Sequence, residues 1–146
     1  KHLNDLLNTL ETNHPGSGTS MTETLARAQP LLKRKGTLVV LSDFFVDPAA
    51  LFRALNPYIH RGFRIHLFHI LDPSEIQLDD RGLSRFVDME TDDQLTIHPH
   101  SLRESWNREI LSHTRSLRSL AASRRVDYAL ASTAEPYFAL FDRLRE

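Results

Sequence analysis

Polar side chains that could hold a cation or a substrate follow three apolar runs of the sequence. Ser42 and Asp43 follow the first run, Asp72 follows the second, and Ser132 and Thr133 follow the third. Hydroxyl and carboxylate oxygens are the ligands that Mg²⁺ prefers in proteins. Two carboxylates holding one such ion could serve a phosphoesterase or a nuclease, because the metal would activate water for in-line attack. The same side chains could equally do no more than cap the helices that follow.

The three apolar runs are predicted to be strands that are buried on both faces of a sheet. Residues 37–41 form a continuous apolar, β-branched run, and residues 64–71 and 126–131 form the second and third strands. Around them, apolar residues recur every three or four positions, as in helices that bury one face. These predicted helices span residues 3–12, 21–34, 48–61, 101–124 and 136–145. Pro30, inside the second of them, predicts a kink or an early stop.

The order of the elements predicts an α/β fold. Strands that alternate with helices form a parallel sheet, because parallel neighbours need long crossover connections. We therefore expect a doubly wound, mostly parallel sheet with helices on both faces, in a single domain over residues 1–146. Residues 84–90 and 94–98 alternate around a polar turn and predict a small β-hairpin insertion.

Composition excludes several classes of protein. With 18 Lys and Arg residues against 19 Asp and Glu, the formal net charge is -1, so a broad basic surface for nucleic acid is not expected. The sequence contains no Cys, which excludes disulfides, thiol nucleophiles and cysteine-held metals. No apolar run approaches the roughly 20 residues of a membrane span, and no signal peptide is recognisable. We expect a cytoplasmic protein, with attachment to a membrane-anchored parent left open.

One group of residues resembles the second half of a von Willebrand factor A domain. Gly18 and Thr19 precede a helix that contains Leu25, and an apolar strand then ends in Ser42 and Asp43. In that family, three loops build a metal-ion-dependent adhesion site for Mg²⁺. The resemblance implies that Thr19 belongs to the second loop and Asp43 to the third. It also implies a free metal position for a carboxylate of a partner protein.

Within that superfamily, the sequence is most similar to bacterial domain-of-unknown-function family 58, over roughly residues 16–146. The shared segments are Leu41-Ser42-Asp43-Phe44-Phe45, Asp72-Pro73-Ser74-Glu75, Val87-Asp88-Met89-Glu90-Thr91, and a terminal part from Asp127-Tyr128 to Leu144-Arg145. That family is commonly encoded beside MoxR-type AAA+ ATPases. The resemblance therefore implies a non-catalytic partner role in assembly or chaperone-like work.

The sequence departs from the adhesion-site pattern in its first loop. No Asp-x-Ser-x-Ser motif occurs in the 146 residues, so the first strand and loop are expected to precede Lys1 in a longer protein. Thr19 and Asp43 are too few ligands for a well-held Mg²⁺. We therefore expect no cofactor in this chain, with Mg²⁺ binding left open for an intact parent. The missing strand would lie beside residues 37–42, and an exposed edge there predicts self-association.

Arginines of the longest predicted helix are further candidates. Arg108, Arg115, Arg118 and Arg125 form one stripe, which could dock an acidic partner or phosphates. It could equally be a solvated face that is partly paired with Glu104 and Glu109. The candidates for partner binding are Ser42, Asp72, Glu75, Arg108, Arg115 and Arg118.

Two functional hypotheses follow. The first is a non-catalytic von Willebrand A-like adaptor that binds a protein, with a MoxR-type ATPase as the implied partner. The alternative is a Mg²⁺-dependent phosphoesterase or nuclease that uses Asp43 and Asp72, with Glu75 as the nearest further acid. Nucleotide-binding loops of the G-x-G-x-x-G or Walker type are absent from the sequence. We expect the adaptor and assign no catalytic residue.

Overall fold

The computed structural model describes residues 2–12, 20–77, 84–87, 94–97, 99–136 and 138–139, with only the backbone described for 84–87, 94–97 and 99–101. Five helices and five strands lie in these ranges. In chain order they are α1 His2–Glu11, α2 Met21–Ala28, β1 Thr37–Ser42, α3 Pro48–His60, β2 Arg64–Leu71, α4 Pro73–Ile76, β3 Ser84–Val87, β4 Gln94–Ile97, α5 Pro99–Ser123 and β5 Asp127–Ser132.

The central sheet contains three parallel strands in the order β1-β2-β5. Val40 is in register with Leu67, and Leu67 with Tyr128, so the carboxyl ends of the strands meet at one edge. The α/β class and the parallel sheet are thereby confirmed. A separate pair, β3 and β4, is antiparallel. The doubly wound arrangement with helices on both faces, and the role of this pair as an insertion, remain predictions.

One face of the sheet carries the hydrophobic core. Every second side chain of β1 and β2 points to this face, and three helices pack against these side chains. The core comprises Leu25 of α2, Leu51, Phe52, Leu55 and Tyr58 of α3, Leu117 and Ala121 of α5, and Val40, Phe44, Ile65, Leu67 and Val126. The Tyr58 hydroxyl donates a 2.5 Å hydrogen bond to the carbonyl of Leu25, which joins α3 to α2.

Helix α3 begins and ends at residues whose chemistry suits those positions. The Asp47 carboxylate accepts hydrogen bonds from the backbone N–H groups of Ala49 and Ala50, and Pro48 occupies the first helical turn. Gly62 follows the helix with φ of 76°, the left-handed conformation in which glycine is favoured. These caps fix where β2 starts, and therefore where its carboxyl end lies.

The prediction that the strand over residues 37–41 is buried on both faces is wrong, because the face of β1 opposite the core is open to solvent. Val39 is 47% exposed and Leu41 is 62% exposed, although both lie in an apolar strand. β1 pairs only with β2 among the described strands, and its other side, where no described strand lies, is here called the free edge. Proteins usually blunt such edges with charge or proline, and residues 37–42 contain neither.

The predicted helix over residues 21–34 is shorter than its spacing suggested. α2 ends at Ala28, because Pro30 has no N–H to donate to the preceding turn and its ring crowds that turn. The segment that follows is held by Arg61, which donates to the carbonyls of Gln29 and Leu32.

Helices with one apolar face were predicted at both ends of the chain. α1 has its predicted leucine stripe, but none of its residues is buried. The predicted final helix over residues 136–145 falls mostly outside the described residues. Within the described part of the chain, no helix has the length and apolar character needed to cross a bilayer.

Candidate functional site

The edge where the parallel strands end, here called the rim, carries the acidic candidates. Asp72 follows β2 and caps the short helix α4. Its Oδ1 accepts from the backbone N–H of Ser74 at 2.9 Å and from the Ser74 hydroxyl at 2.6 Å. The Glu75 carboxylate accepts from the backbone N–H of Asp72 at 2.6 Å, which completes a capping box. Both carboxylates therefore have structural hydrogen bonds in this fold.

A second set of bonds ties the end of β5 to the end of β2. The Thr133 hydroxyl donates to Oδ2 of Asp72 at 2.8 Å, and its backbone N–H donates to the carbonyl of Leu71 at 3.0 Å. Hydrogen bonds from Ser74 first, and from Thr133 after it, lower the pKa of Asp72. The ionised carboxylate of Asp72 therefore accepts the hydrogen bonds that help to join the end of β5 to the end of β2.

Asp43 is less engaged than Asp72. Oδ1 of Asp43 accepts from the Ser42 hydroxyl at 3.2 Å and from the backbone N–H of Phe45 at 3.4 Å, both long contacts. The Ser42 oxygen itself accepts from the backbone N–H of Phe44 at 3.0 Å. Asp43 is exposed and Phe45 is 47% exposed, so the loop presents a carboxylate and an aromatic ring to solvent.

Between those two exposed residues, Phe44 is completely buried in an unusual conformation. Its φ of 49° is left-handed, which is rare for a bulky residue. Its carbonyl accepts from the backbone N–H of Val46 at 2.6 Å and from Nε2 of His113 at 2.8 Å. Because a carbonyl only accepts, Nε2 of His113 carries a hydrogen. Helix α5 thus holds this loop directly.

Beneath Phe44 lies a group of polar rings, here called the histidine cluster: the buried His69 and the half-buried His113 and Tyr128. His69 is 1% exposed, and its Nδ1 shares a 2.6 Å hydrogen bond with the Tyr128 hydroxyl. The Phe44 ring meets the His69 ring edge-on, with centroids 5.6 Å apart. The His113 ring lies 6.2 Å from that of His69.

Burial sets the protonation of His69 and Tyr128. Desolvation lowers the pKa of His69 to about 4, an effect that a backbone contact with Asp43 opposes and the neighbouring His113 reinforces. Desolvation also raises the pKa of Tyr128 to about 12, against the attraction of Arg118. At neutral pH both groups are therefore uncharged, and the hydrogen bond between His69 and Tyr128 joins two neutral groups.

The structure does not group the acidic candidates into a cation site among the residues it describes. No three His, Cys, Asp or Glu side chains come together there as a metal would require. Thr19, the second residue expected to face a metal, lies outside the described residues. Asp72, Glu75 and Thr133 come together at the rim. Their hydrogen bonds join the ends of β2 and β5 and helix α4 to one another, and the three side chains do not converge on a common position for a cation.

The arginine stripe of α5 divides into two kinds of residue. Arg108 and Arg115 are exposed and line an open groove of about 580 Å³ together with Leu111, Ser112, Ser116, Ser119 and Leu120. No ion pair joins these two arginines to Glu104 or Glu109 in the described chain. The Arg118 guanidinium instead lies over the Tyr128 ring at 6.0 Å from its centroid. Arg118 is thus a neighbour of the histidine cluster as well as a surface residue.

Two contacts of α5 were not among the candidates from the sequence. Nε1 of Trp106 donates to the carbonyl of Glu75 at 2.7 Å, so α5 is fastened to α4 as well as to the Phe44 loop. His113, which bonds to the Phe44 carbonyl, lies among the apolar positions of this helix. The one available signal was a polar ring at an apolar position, which does not indicate its partner.

The comparisons with known proteins identify a family and nothing narrower. Residues 1–116 match the family model described as "Protein of unknown function DUF58". No curated protein matches this chain. No solved structure matches it either.

Proposed function

The chain belongs to the DUF58 family, and we propose that it is a non-catalytic adaptor that binds an acidic segment of a partner protein. The groove of α5 is the proposed docking face, and a MoxR-type AAA+ ATPase is the proposed partner. The proposed setting is the bacterial cytoplasm, and the proposed wider architecture is von Willebrand A-like.

The observation behind this proposal is a pair of arginines that line the groove of α5 and form no ion pair with the described residues. Arg108 and Arg115 are seven residues apart in α5, so they lie on the same side of the helix, about 10 Å from each other. Leu111, which is 49% exposed, lies between them. Apolar contact would provide affinity, while two guanidinium groups would select carboxylates by paired hydrogen bonds. An acidic amphipathic segment has this complementary chemistry.

The rim supports an adaptor more than a metalloenzyme. The Asp72 and Glu75 carboxylates already accept capping hydrogen bonds, so a metal or a partner's cation would have to share these carboxylates with the backbone donors. We therefore propose that Asp72 and Glu75 position the rim, and that Ser42 positions the backbone of Phe44.

Charge reversal on α5 tests the docking face. The double variant Arg108→Glu/Arg115→Glu is expected to weaken binding of the MoxR-type ATPase from the same organism by at least about tenfold, roughly 1.4 kcal/mol. Binding by biolayer interferometry at two salt concentrations measures it, and the salt dependence should shrink with the lost charges. The matched control is Lys33→Glu/Lys35→Glu, which makes the same change in net charge at exposed positions outside α5. Equal losses in both variants would contradict a specific docking face.

The alternative function is a Mg²⁺-dependent phosphoesterase or nuclease that uses Asp43 and Asp72. Exposed Asp43, with only two long hydrogen bonds, is the observation that favours it. A thermal melt with millimolar Mg²⁺ separates the proposals, because a ligand at 100 times its Kd adds about 2.7 kcal/mol and several degrees to Tm. We expect no change. A rise in Tm that Asp43→Ala abolishes would favour the metal-binding alternative.

We also propose that this chain associates with a second copy of itself through β1. The free edge presents backbone groups along six residues, and Val39 and Leu41 extend the apolar surface beside it. A strand without charged residues can pair with such an edge without electrostatic repulsion, and β1 itself contains no charged residue. Antiparallel pairing of two β1 strands would form a closed dimer with two-fold symmetry.

A further inference from the structure

The edge of the sheet where the three parallel strands begin, here called the amino edge, is basic. Residues 29–36 lead into β1, residues 61–63 into β2 and residues 124–126 into β5. These three connections contain no Asp or Glu and six cations, which are Lys33, Arg34, Lys35, Arg61, Arg124 and Arg125. Because neighbouring strands lie about 4.8 Å apart, the six cations share one surface.

The charge of the amino edge is not neutralised. None of its six cations forms an ion pair within the described part of the chain. Arg61 donates to two backbone carbonyls, and the Arg124 guanidinium lies 5.3 Å from the centroid of the Phe52 ring, so both contact uncharged groups. Asp127, the acid that begins β5, is already 3.7 Å from Arg64. A positive potential therefore faces solvent here.

The rim, at the other end of the strands, has the opposite charge. Residues 43–47, 72–77 and 133–136 follow the strands and contain no Lys or Arg. Their acids are Asp43, Asp47, Asp72, Glu75 and Glu135. A six-residue strand such as β1 spans about 20 Å, so the two charged surfaces are well separated. The net charge of -1 conceals this division, which would turn the amino edge toward an anionic surface.

Two exposed leucines adjoin the basic run and indicate which anionic surface fits. Leu31 is 77% exposed, more than any other large apolar side chain described, and Leu32 is 37% exposed. Leucine side chains enter the boundary between lipid headgroups and acyl chains, where neighbouring basic residues meet the phosphates. A single-stranded nucleic acid would instead need aromatic rings for stacking. The one aromatic ring in these connections, that of Phe63, is covered by the Arg61 guanidinium at 5.3 Å.

We propose that the amino edge docks on an anionic lipid surface, with Lys33-Arg34-Lys35 at the phosphates and Leu31 and Leu32 inserted beside them. Helix α5 runs from the rim, where Trp106 bonds to α4, to the amino edge, where Arg124 follows it. In the docked orientation the rim points away from the lipid, and the first turns of α5 stay clear of it. This docking does not depend on the proposed adaptor function.

Flotation with lipid vesicles tests this docking. The chain is expected to bind vesicles made from equal parts of phosphatidylcholine and phosphatidylglycerol, and not vesicles of phosphatidylcholine alone. Lys33→Glu/Lys35→Glu should lower the partition coefficient at least about tenfold, because each basic residue at an anionic surface strengthens binding about fivefold. The matched control is Arg108→Glu/Arg115→Glu, which makes the same change in net charge on α5 and should bind like the wild type. These two variants exchange roles in the binding assay with the ATPase, so docking on lipid and docking on protein can fail separately.

Leu31→Ser/Leu32→Ser separates insertion from electrostatic attraction. It should weaken vesicle binding at least about threefold, because less apolar surface is buried, and leave the salt dependence unchanged. Since the chain contains no Cys, Leu31→Cys can carry a single environment-sensitive fluorophore. Its emission should shift to the blue on the phosphatidylglycerol vesicles, whereas the same label at Leu111→Cys should show no shift.

Three results would overturn docking on lipid. The first is no binding of the wild-type chain to phosphatidylglycerol vesicles at low salt. The second is an equal loss in both charge-reversal variants, which would assign binding to net charge and not to the amino edge. The third is tighter binding to a duplex or single-stranded oligonucleotide than to the vesicles at the same salt, with Lys33→Glu/Lys35→Glu abolishing it. That result would assign the amino edge to nucleic acid.

Discussion

Acidification from pH 7 to pH 4 is expected to lower the free energy of unfolding by up to about 3 kcal/mol through His69 alone. Burial lowers the pKa of this histidine from 6.5 to about 4 in the folded chain. Between those values the unfolded chain binds a proton that the folded chain refuses, so stability falls as the pH falls. The contribution is fully present above pH 6.5 and is exhausted below pH 4.

The pH window separates His69 from the carboxylates. Hydrogen bonds from Ser74 and Thr133 lower the pKa of Asp72 below its ordinary value of 3.8. Stability from that group is therefore present above the ordinary value and is lost only as the pH falls further. A decline that begins near pH 6.5 has the sign and the position expected for a buried neutral histidine, and a carboxylate would act at lower pH.

Urea unfolding at several pH values between 7 and 4.5 measures this effect, with the midpoint and the slope fitted at each pH. His69→Asn should flatten the decline, since an amide side chain does not titrate, whereas His60→Gln should leave it unchanged. An equally steep decline in His69→Asn would assign the effect to another group.

The elements of the fold that local sequence determines could be predicted. The continuous apolar run in 37–41 identifies a strand, although its burial on both faces was wrongly predicted. Asp47-Pro48 identifies the start of α3, because both residues suit a helix N-terminus. The length of α2 was harder to predict, since leucine spacing continues beyond Ala28 while Pro30 prevents the helix from doing so. Here the missing N–H of proline outweighed the leucine spacing and ended the helix.

The polar bonds of the site depend on strand order and register, which local sequence does not determine. Thr133 meets Asp72 only because β5 lies beside β2, and Tyr128 reaches His69 only through the register of those strands. Asp72 shows the same difficulty in its chemistry, because a carboxylate after a strand suits both a metal and a helix cap. Its neighbours in space decide between the two roles.

Phe44 gave no sequence signal at all. Left-handed φ is expected at glycine or asparagine, and a phenylalanine after Ser42 and Asp43 suggests only a buried side chain. The groups that enforce this conformation come from α5 and β2, far away in the sequence. Similarly, a helical wheel places Arg115 and Arg118 in one stripe. Their surroundings differ because Arg118 lies over the ring of Tyr128, a contact that the wheel does not show.

Leu41→Lys is expected to convert a self-associating chain into a monomer. Leu41 is 62% exposed on the free edge strand, and a lysine there would put two like charges close together when two β1 strands pair. Natural edge strands use lysine to prevent such pairing. Because six-residue strands bury less surface than a stable dimer usually requires, we expect the wild-type dimer to dissociate in the micromolar range.

Sedimentation velocity at protein concentrations from about one to about one hundred micromolar measures this association. The matched control is Leu31→Lys, which removes a still more exposed leucine outside the edge strand and should leave association unchanged. A monodisperse wild-type monomer at tens of micromolar would refute pairing through β1. Growth beyond a dimer would instead indicate that β1 pairs with a different strand of the next copy, because head-to-tail contacts do not close. A dimer that Leu41→Lys abolishes would locate the two-fold axis beside β1, on the opposite side of that strand from β2.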